Sequence, residues 1–77
     1  MKLTVELQSY LEQYSPRDEG TFAYEMPDGS RVADLIARLR LPEDLASVVV
    51  VSGEAADPET PLHEGARVTV IPPLAGG

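Results

Sequence analysis

One segment of the chain carries a strong helical pattern of apolar residues, and most of the other apolar segments alternate as strands do. In the helical segment the apolar positions recur at i, i+3, i+4 and i+7, namely Val32, Leu35, Ile36 and Leu39. This spacing places them on one stripe of a helix, which must be buried against other elements. Because the chain has one such helix and several strand segments, the natural cover for the stripe is a sheet.

Four segments are predicted to be strands of that sheet. Three show apolar residues at period two, and the fourth is a β-branched run typical of a buried strand. They contain Leu3, Val5 and Leu7; Phe22, Tyr24 and Met26; Val48–Val51; and Arg67–Ile71. The order strand, strand, helix, strand, strand predicts an α+β roll, with one main helix across one face of a mixed four- to five-stranded sheet. We expect the helix stripe to meet Leu3, Val5, Phe22, Val48, Val50, Val68 and Val70.

The connections contain several local signals. Gln8–Tyr14 and Pro42–Ala46 are predicted to form short helical turns, and Ser52-Gly53-Glu54 a chain reversal. Ser30 is a candidate cap of the main helix, since a serine hydroxyl can accept a hydrogen bond from a free N–H of the first turn. Asp34 and Arg38, four residues apart, are expected to form an ion pair on its exposed side.

Composition excludes several classes of protein. The chain has 77 residues, enough for one small domain with one core, and no cysteine, so disulfides and thiolate chemistry are excluded. Thirteen acidic and six basic residues give a net charge of −7, which disfavours nucleic acids and anionic membranes as partners. We expect a cytoplasmic protein, because neither a signal peptide nor a membrane-spanning run is visible. We also expect it to be monomeric when isolated.

The last residues form the most informative motif. Pro72-Pro73 cannot continue strand pairing, so we expect a domain over residues 1–72 and a flexible tail over residues 73–77. The tail ends in Gly76-Gly77, a slim segment without side chains that another protein's narrow active site can admit. The carboxylate of Gly77 is therefore the candidate reactive group.

Other candidate site residues lie near this tail. Pro73, Leu74 and Ala75 are candidate partner contacts, and the alternative for Leu74 is packing on its own domain. Arg67, at the start of the last strand, is either a partner contact near the tail exit or a charge at the sheet edge. His63 is the only histidine, and without a second ligand it does not predict a metal site. No metal or bound cofactor is expected.

At this point the sequence resembles the ubiquitin-like sulfur carriers of the MoaD/ThiS family, which have the β-grasp fold. The resemblance covers nearly the whole chain and is most specific at its end, from Gly65-Ala66-Arg67 through Pro72-Pro73 to Gly76-Gly77. Two turn positions differ from the family's frequent residues: the family often has Asn where this chain has Ser52, and Asp where it has Ala66.

The resemblance implies a carrier protein rather than an enzyme. Its C-terminal carboxylate would be adenylated by a ubiquitin-activating-type enzyme, which uses ATP and magnesium, and then converted to a thiocarboxylate that donates sulfur in cofactor biosynthesis. The ending Pro-Pro-Leu-Ala-Gly-Gly favours the small subunit of molybdopterin synthase over the thiamine-pathway carrier. The implied partners are the adenylating enzyme and a sulfur-accepting synthase subunit.

Two alternatives stay open. The same Gly-Gly ending suits a ubiquitin-like modifier, in which Gly77 is joined through an isopeptide bond to a lysine of a target protein. A plain β-grasp interaction domain with an inert tail is the third possibility. It predicts that the C-terminus can be blocked or extended without effect.

Overall fold

A computed structural model describes residues 1–73 of the chain. These residues form five strands, one α-helix and two short 3₁₀ turns. The strands are β1 (Lys2–Leu7), β2 (Thr21–Glu25), β3 (Val48–Val51), β4 (Glu54–Ala56) and β5 (Arg67–Ile71). The helix α1 spans Val32–Arg38, and the 3₁₀ turns span Ser9–Tyr14 and Glu43–Leu45, where helical turns were predicted.

The five strands form one mixed sheet in the order β2-β1-β5-β3-β4. β1 and β5 run parallel, and the other neighbours are antiparallel. The last strand of the chain therefore lies at the centre of the sheet, between the first strand and β3. This arrangement confirms the predicted α+β roll.

The core lies between α1 and one face of the sheet. On β1 and β5 the alternating residues are buried as predicted, and all four residues of the helix stripe are buried with them. The cluster consists of Leu3, Val5, Leu7, Leu11, Phe22, Met26, Val32, Leu35, Ile36, Leu39, Leu41, Val49, Val51, Leu62, Ala66, Val68 and Val70. These side chains supply most of the stability of a domain that has no disulfide.

The predicted register of β3 is wrong by one residue. Val49 and Val51 are buried, opposite Val70 and Val68 of β5, whereas Val48 is 45% exposed and Val50 is half-buried. A one-residue shift moves every side chain of a strand to the other face of the sheet. Four consecutive valines contain no alternation, so only the pairing with β5 selects the buried pair.

The edge strand β4 was not predicted, because Glu54 was assigned to a chain reversal. The reversal is shorter: Ser52 and Gly53 have φ angles of +49° and +87°, and the strands resume with Val51 opposite Glu54. Two consecutive residues with positive φ are typical of a two-residue hairpin turn, whose twist matches that of the strands. Glu54–Ala56 therefore pairs with β3 as the fifth strand.

The start of α1 also differs from the prediction. The Ser30 hydroxyl donates to the carbonyl of Pro27 at 2.7 Å, within the preceding turn, and does not cap the helix. The carboxylate of Asp34 accepts the backbone N–H of Arg31 at 2.8 Å. Among the described residues no ion pair joins Asp34 to Arg38, because Asp34 is turned toward the start of the helix instead.

Candidate functional site

The exit of the C-terminal tail is set by the central strand β5. Its last residue, Ile71, pairs with Val48, the first residue of β3. Pro72 and Pro73 follow and are half-buried. Since proline has no N–H to donate, the ladder cannot extend through these two residues. We call this end of the sheet, beside the start of β3, the tail exit, because residues 74–77 continue from it.

Several of the predicted site residues cannot be placed. Leu74, Ala75, Gly76 and Gly77 lie outside the described residues, 1–73. The expected boundary between domain and tail at Pro73, and the roles assigned to these four residues, therefore stay predictions. What the structure supplies is the position from which they continue.

A second surface adjoins this exit. We call the open face the side of the sheet opposite α1, formed by alternate residues of the three inner strands: Lys2, Thr4, Glu6, Val48, Val50, Arg67, Thr69 and Ile71. None of these residues is buried. Val48, Val50 and Ile71 form its apolar part, next to the tail exit, while Glu6, Arg67 and Thr69 form a polar part.

The apolar part of the open face was missed by the sequence analysis. Val48 and Val50 had been assigned to the core, and the alternation within Arg67–Ile71 gave no sign that Ile71 would lie beside them. Only the pairing of β3 with β5, in which Val48 lies opposite Ile71, reveals this apolar group. Partly exposed apolar side chains grouped on one face of a sheet are typical of a contact surface.

Arg67 lies on this face but away from the tail exit. It begins β5, and four residue steps at about 3.3 Å each place it roughly 13 Å from Ile71. It is not at a sheet edge either, because β5 is the central strand. Its guanidinium Nη2 lies 3.2 Å from Oε1 of Glu6, and the Thr69 hydroxyl lies 3.4 Å from the same oxygen.

The ion pair between Glu6 and Arg67 orients these two side chains on the open face, and both stay partly exposed to solvent. The Arg67 side chain is 56% exposed and that of Glu6 is 30% exposed. An exposed pair of this kind contributes on the order of 0–1 kcal/mol to folding, so its loss should leave the domain intact. Arg67 is therefore available to contact an acidic group of a partner, which stays a prediction.

Within residues 1–73 no cluster of three or more histidine, cysteine or acidic side chains has the geometry of a metal site. His63 is exposed in the loop before β5. The two buried polar side chains are engaged locally: the Ser15 hydroxyl accepts the N–H groups of Arg17 and Glu19, and that of Ser30 bonds to Pro27. The polar interior of the described chain is thus satisfied by its own turns.

No helix among the described residues is long and apolar enough to cross a membrane.

The sheet order, the parallel pairing of the first and last strands and the single helix across one face define a β-grasp, ubiquitin-like protein. The sequence profile of the ThiS family matches residues 8–77, which includes the Gly-Gly ending. The chain therefore belongs to the ThiS family. Proteins of this kind are small carriers or subunits and are not themselves catalytic enzymes.

Solved structures show the same fold at low sequence identity. SAMP1 from Haloferax volcanii is 18% identical, with a TM-score of 0.75 and coverage of 100% of both chains. A protein from Pyrococcus furiosus assigned as molybdopterin converting factor subunit 1 is 24% identical, with a TM-score of 0.74 over 96% of this chain and 99% of that chain.

A chain from the complex of subunits 1 and 2 of the molybdopterin-converting factor of Helicobacter pylori is 23% identical. Its TM-score is 0.62, and the match covers 100% of both chains. At these identities the likeness establishes the fold alone. No curated protein sequence matches the chain significantly.

Proposed function

We propose that this protein is a sulfur carrier whose C-terminal glycine carboxylate is adenylated by a partner enzyme and converted to a thiocarboxylate. The observation that carries the proposal is the family match, which extends to Gly77 and so includes the reactive end. The fold supports it, because Pro72-Pro73 follows the central strand β5 and ends strand pairing just before the last residues.

The chemistry requires little from the carrier itself. An oxygen of the Gly77 carboxylate attacks the α-phosphate of ATP and releases pyrophosphate, which gives an acyl-adenylate. A sulfur nucleophile then displaces AMP, which is a far better leaving group than oxide. The carrier supplies an ionised carboxylate on residues without Cβ atoms. The adenylating enzyme supplies the ATP and magnesium site.

For the sulfur acceptor, the proposal places the molybdenum cofactor pathway first and thiamine second. Two of the solved structures with this fold are assigned to the molybdopterin-converting factor, and one is a complex with its second subunit. By analogy, the carrier would dock on a synthase subunit through the open face and insert Leu74–Gly77 into its active site. Both partners would be met in the cytoplasm.

A second candidate function is protein modification. The structure of small archaeal modifier protein 1 from Haloferax volcanii has the same fold, with a TM-score of 0.76 at 17% identity. In that case Gly77 would be joined to a target lysine after the same adenylation step. Both functions require an activated Gly77. They differ in the nucleophile that attacks it, which is a lysine amine in protein modification and a sulfur nucleophile in the carrier.

The first experiment is the intact mass of the protein isolated from its own host, beside a variant lacking Gly77. A population in which one sulfur replaces one oxygen, found only with the complete tail, is the expected result. Since the thiocarboxylate hydrolyses, the paired assay is ATP–pyrophosphate exchange with the host's adenylating enzyme. The variant should lose the exchange and keep its melting temperature, and exchange that persists without Gly77 would refute the proposal.

The modifier function has a distinct readout. Trypsin cleaves this chain after Arg67, so digestion of host proteins would leave the ten-residue segment Val68–Gly77 on target lysines, and these remnants must disappear when the gene is deleted. Remnants without any thiocarboxylate would favour modification. A protein that tolerates extension of its C-terminus in both assays would instead be an interaction domain with an inert tail.

A further inference from the structure

A groove lies on the side of the molecule opposite the open face, between α1 and the strands β3 and β4. Its volume is about 370 Å³, which falls within the range of roughly 300–1,000 Å³ found for small ligand sites. The floor is apolar and consists of core side chains whose outer surfaces form its base: Val32, Ile36, Leu41 and Val49.

Small side chains keep this groove open. Ala33 and Ala37 are four residues apart on α1 and therefore lie on the same side of the helix. Ala46 and Ala56 line the groove as well. A leucine at any of these positions would occupy much of the space, so the groove depends on side chains that end at Cβ.

Backbone hydrogen bonds hold the walls in place. On one side the N–H groups of Val32 and Ala33 donate to the carbonyls of Thr60 and Pro58, both at 3.0 Å, which attaches this loop to the start of α1. On the other side Leu41 donates to Ile36 and Ala46 donates to Glu43, each at 3.1 Å. The groove is therefore formed before any partner arrives, and binding does not require the walls to be ordered.

The charges that line the groove have one sign. Two exposed carboxylates, those of Glu43 and Asp57, line it, and none of its lining residues is basic. Asp57 is held in position, since its Oδ1 accepts the N–H of Glu59 at 2.8 Å and lies 3.4 Å from the Thr60 hydroxyl. The net charge of −7 adds to the negative potential of this site.

We propose that the groove binds an arginine or lysine side chain presented by a basic partner protein. The methylene stem of such a residue packs on the apolar floor, while its charged end reaches the carboxylates of Glu43 and Asp57. Both halves of the side chain are then matched, the stem by the floor and the charge by the acidic lining. This inference does not depend on the chemistry of Gly77.

The groove lies at the end of the sheet where β3 begins and β5 ends. Ser47 lines the groove and precedes Val48, which pairs with Ile71 at the end of β5. The groove thus reaches the end of the sheet from which the chain leaves. A partner that fills the groove therefore contacts this end of the sheet from the side of α1 and leaves the open face free.

The test uses n-pentylguanidinium as the probe, with hexanoate as a probe of similar length and opposite charge. Backbone amide shifts are followed by NMR in a labelled sample. We expect saturable shifts at Ala33, Ala37, Ala46 and Ala56 with the guanidinium, and at least threefold weaker binding of hexanoate. Equal binding of the two probes, or shifts elsewhere on the surface, would overturn the proposal.

Two variants separate shape from charge. Ala37→Leu fills the groove and should abolish the shifts, whereas Ala23→Leu, at an exposed position on β2, should leave them unchanged. The double variant Glu43→Gln/Asp57→Asn replaces both carboxylates by neutral amides of nearly the same shape and so removes the charges. It should weaken binding about 2- to 30-fold, because two exposed pairs worth about 0.2–1 kcal/mol each together contribute about 0.4–2 kcal/mol. Undiminished binding by the Ala37→Leu variant refutes the site.

The same titration on protein lacking Gly77 should give the same affinity. A sulfur-carrier assay that fails while the groove binds the guanidinium would count against the proposed function alone. A groove that binds neither probe would count against this inference alone.

Discussion

The assignment of faces on β3 is tested by shortening its two adjacent valines. Val49→Ala removes the equivalent of two methylene groups from the core, where the residue is 7% exposed. At about 0.8 kcal/mol per buried CH₂, the transfer term is about 1.5 kcal/mol, and the cavity left behind brings the loss to about 2–2.5 kcal/mol. Val48→Ala shortens a side chain that is 45% exposed, so the loss should stay near 0.8 kcal/mol.

The two variants are matched controls for each other. Both replace valine by alanine in the same strand, so the lower strand propensity of alanine largely cancels between them. The assay is urea unfolding followed by circular dichroism. With an m-value of about 1 kcal/mol/M for so small a domain, the midpoints of the two variants should differ by more than about 1 M.

The result that would refute the structure is a Val48→Ala variant as destabilised as Val49→Ala, or more so. It would mean that the register between β3 and β5 is shifted by one residue, which places Val48 and Val50 in the core. Val49 and Val51 would then replace Val48 and Val50 on the open face, and the surface proposed to contact the synthase subunit would have to be redrawn.

Three further substitutions have defined outcomes. Leu35→Ala, at a fully buried position, should lower the free energy of unfolding by about 2–5 kcal/mol in the same urea assay, and a wild-type midpoint would remove it from the core. Ser52→Asn should raise thermal stability by roughly 0.5–1 kcal/mol, because Asn tolerates the positive φ of +49° at this position several-fold better than most residues; a lower melting temperature would contradict this. Arg67→Ala should change stability by less than about 1 kcal/mol, because its pair with Glu6 is exposed. It should nevertheless weaken binding to the adenylating enzyme or synthase subunit, measured by calorimetry. Unchanged affinity would mean that Arg67 only pairs with Glu6 and contacts no partner.

Much of the fold could be predicted because local patterns agreed with the final structure. The helix stripe from Val32 to Leu39 and the alternation on β1, β2 and β5 each define a buried face without reference to the rest of the chain. The errors arose where the pattern was uniform or the signal was tertiary. Val48–Val51 carries no period, and β4 is three residues long and stable only against β3.

The candidate site also combines features that the sequence shows with features that only the structure shows. The tail ending in Gly76-Gly77 is a sequence feature, and the ThiS family profile includes it. The open face and the groove beside α1 are not visible in the sequence, because each combines residues from separate elements. Arg67 illustrates the difference: the sequence places it six residues before Pro73, yet the extended strand between them separates the two along the sheet.

The sequence by itself determined the main helix and most of the strands, because hydrophobic periodicity decides which elements form, and it carries the Gly-Gly ending that the ThiS family match includes. Tertiary structure alone decided which valines of β3 point outward, which strand is central and where a groove remains between α1 and the sheet. These features depend on strand register and on packing between distant segments. Neither is encoded in the period of any single segment.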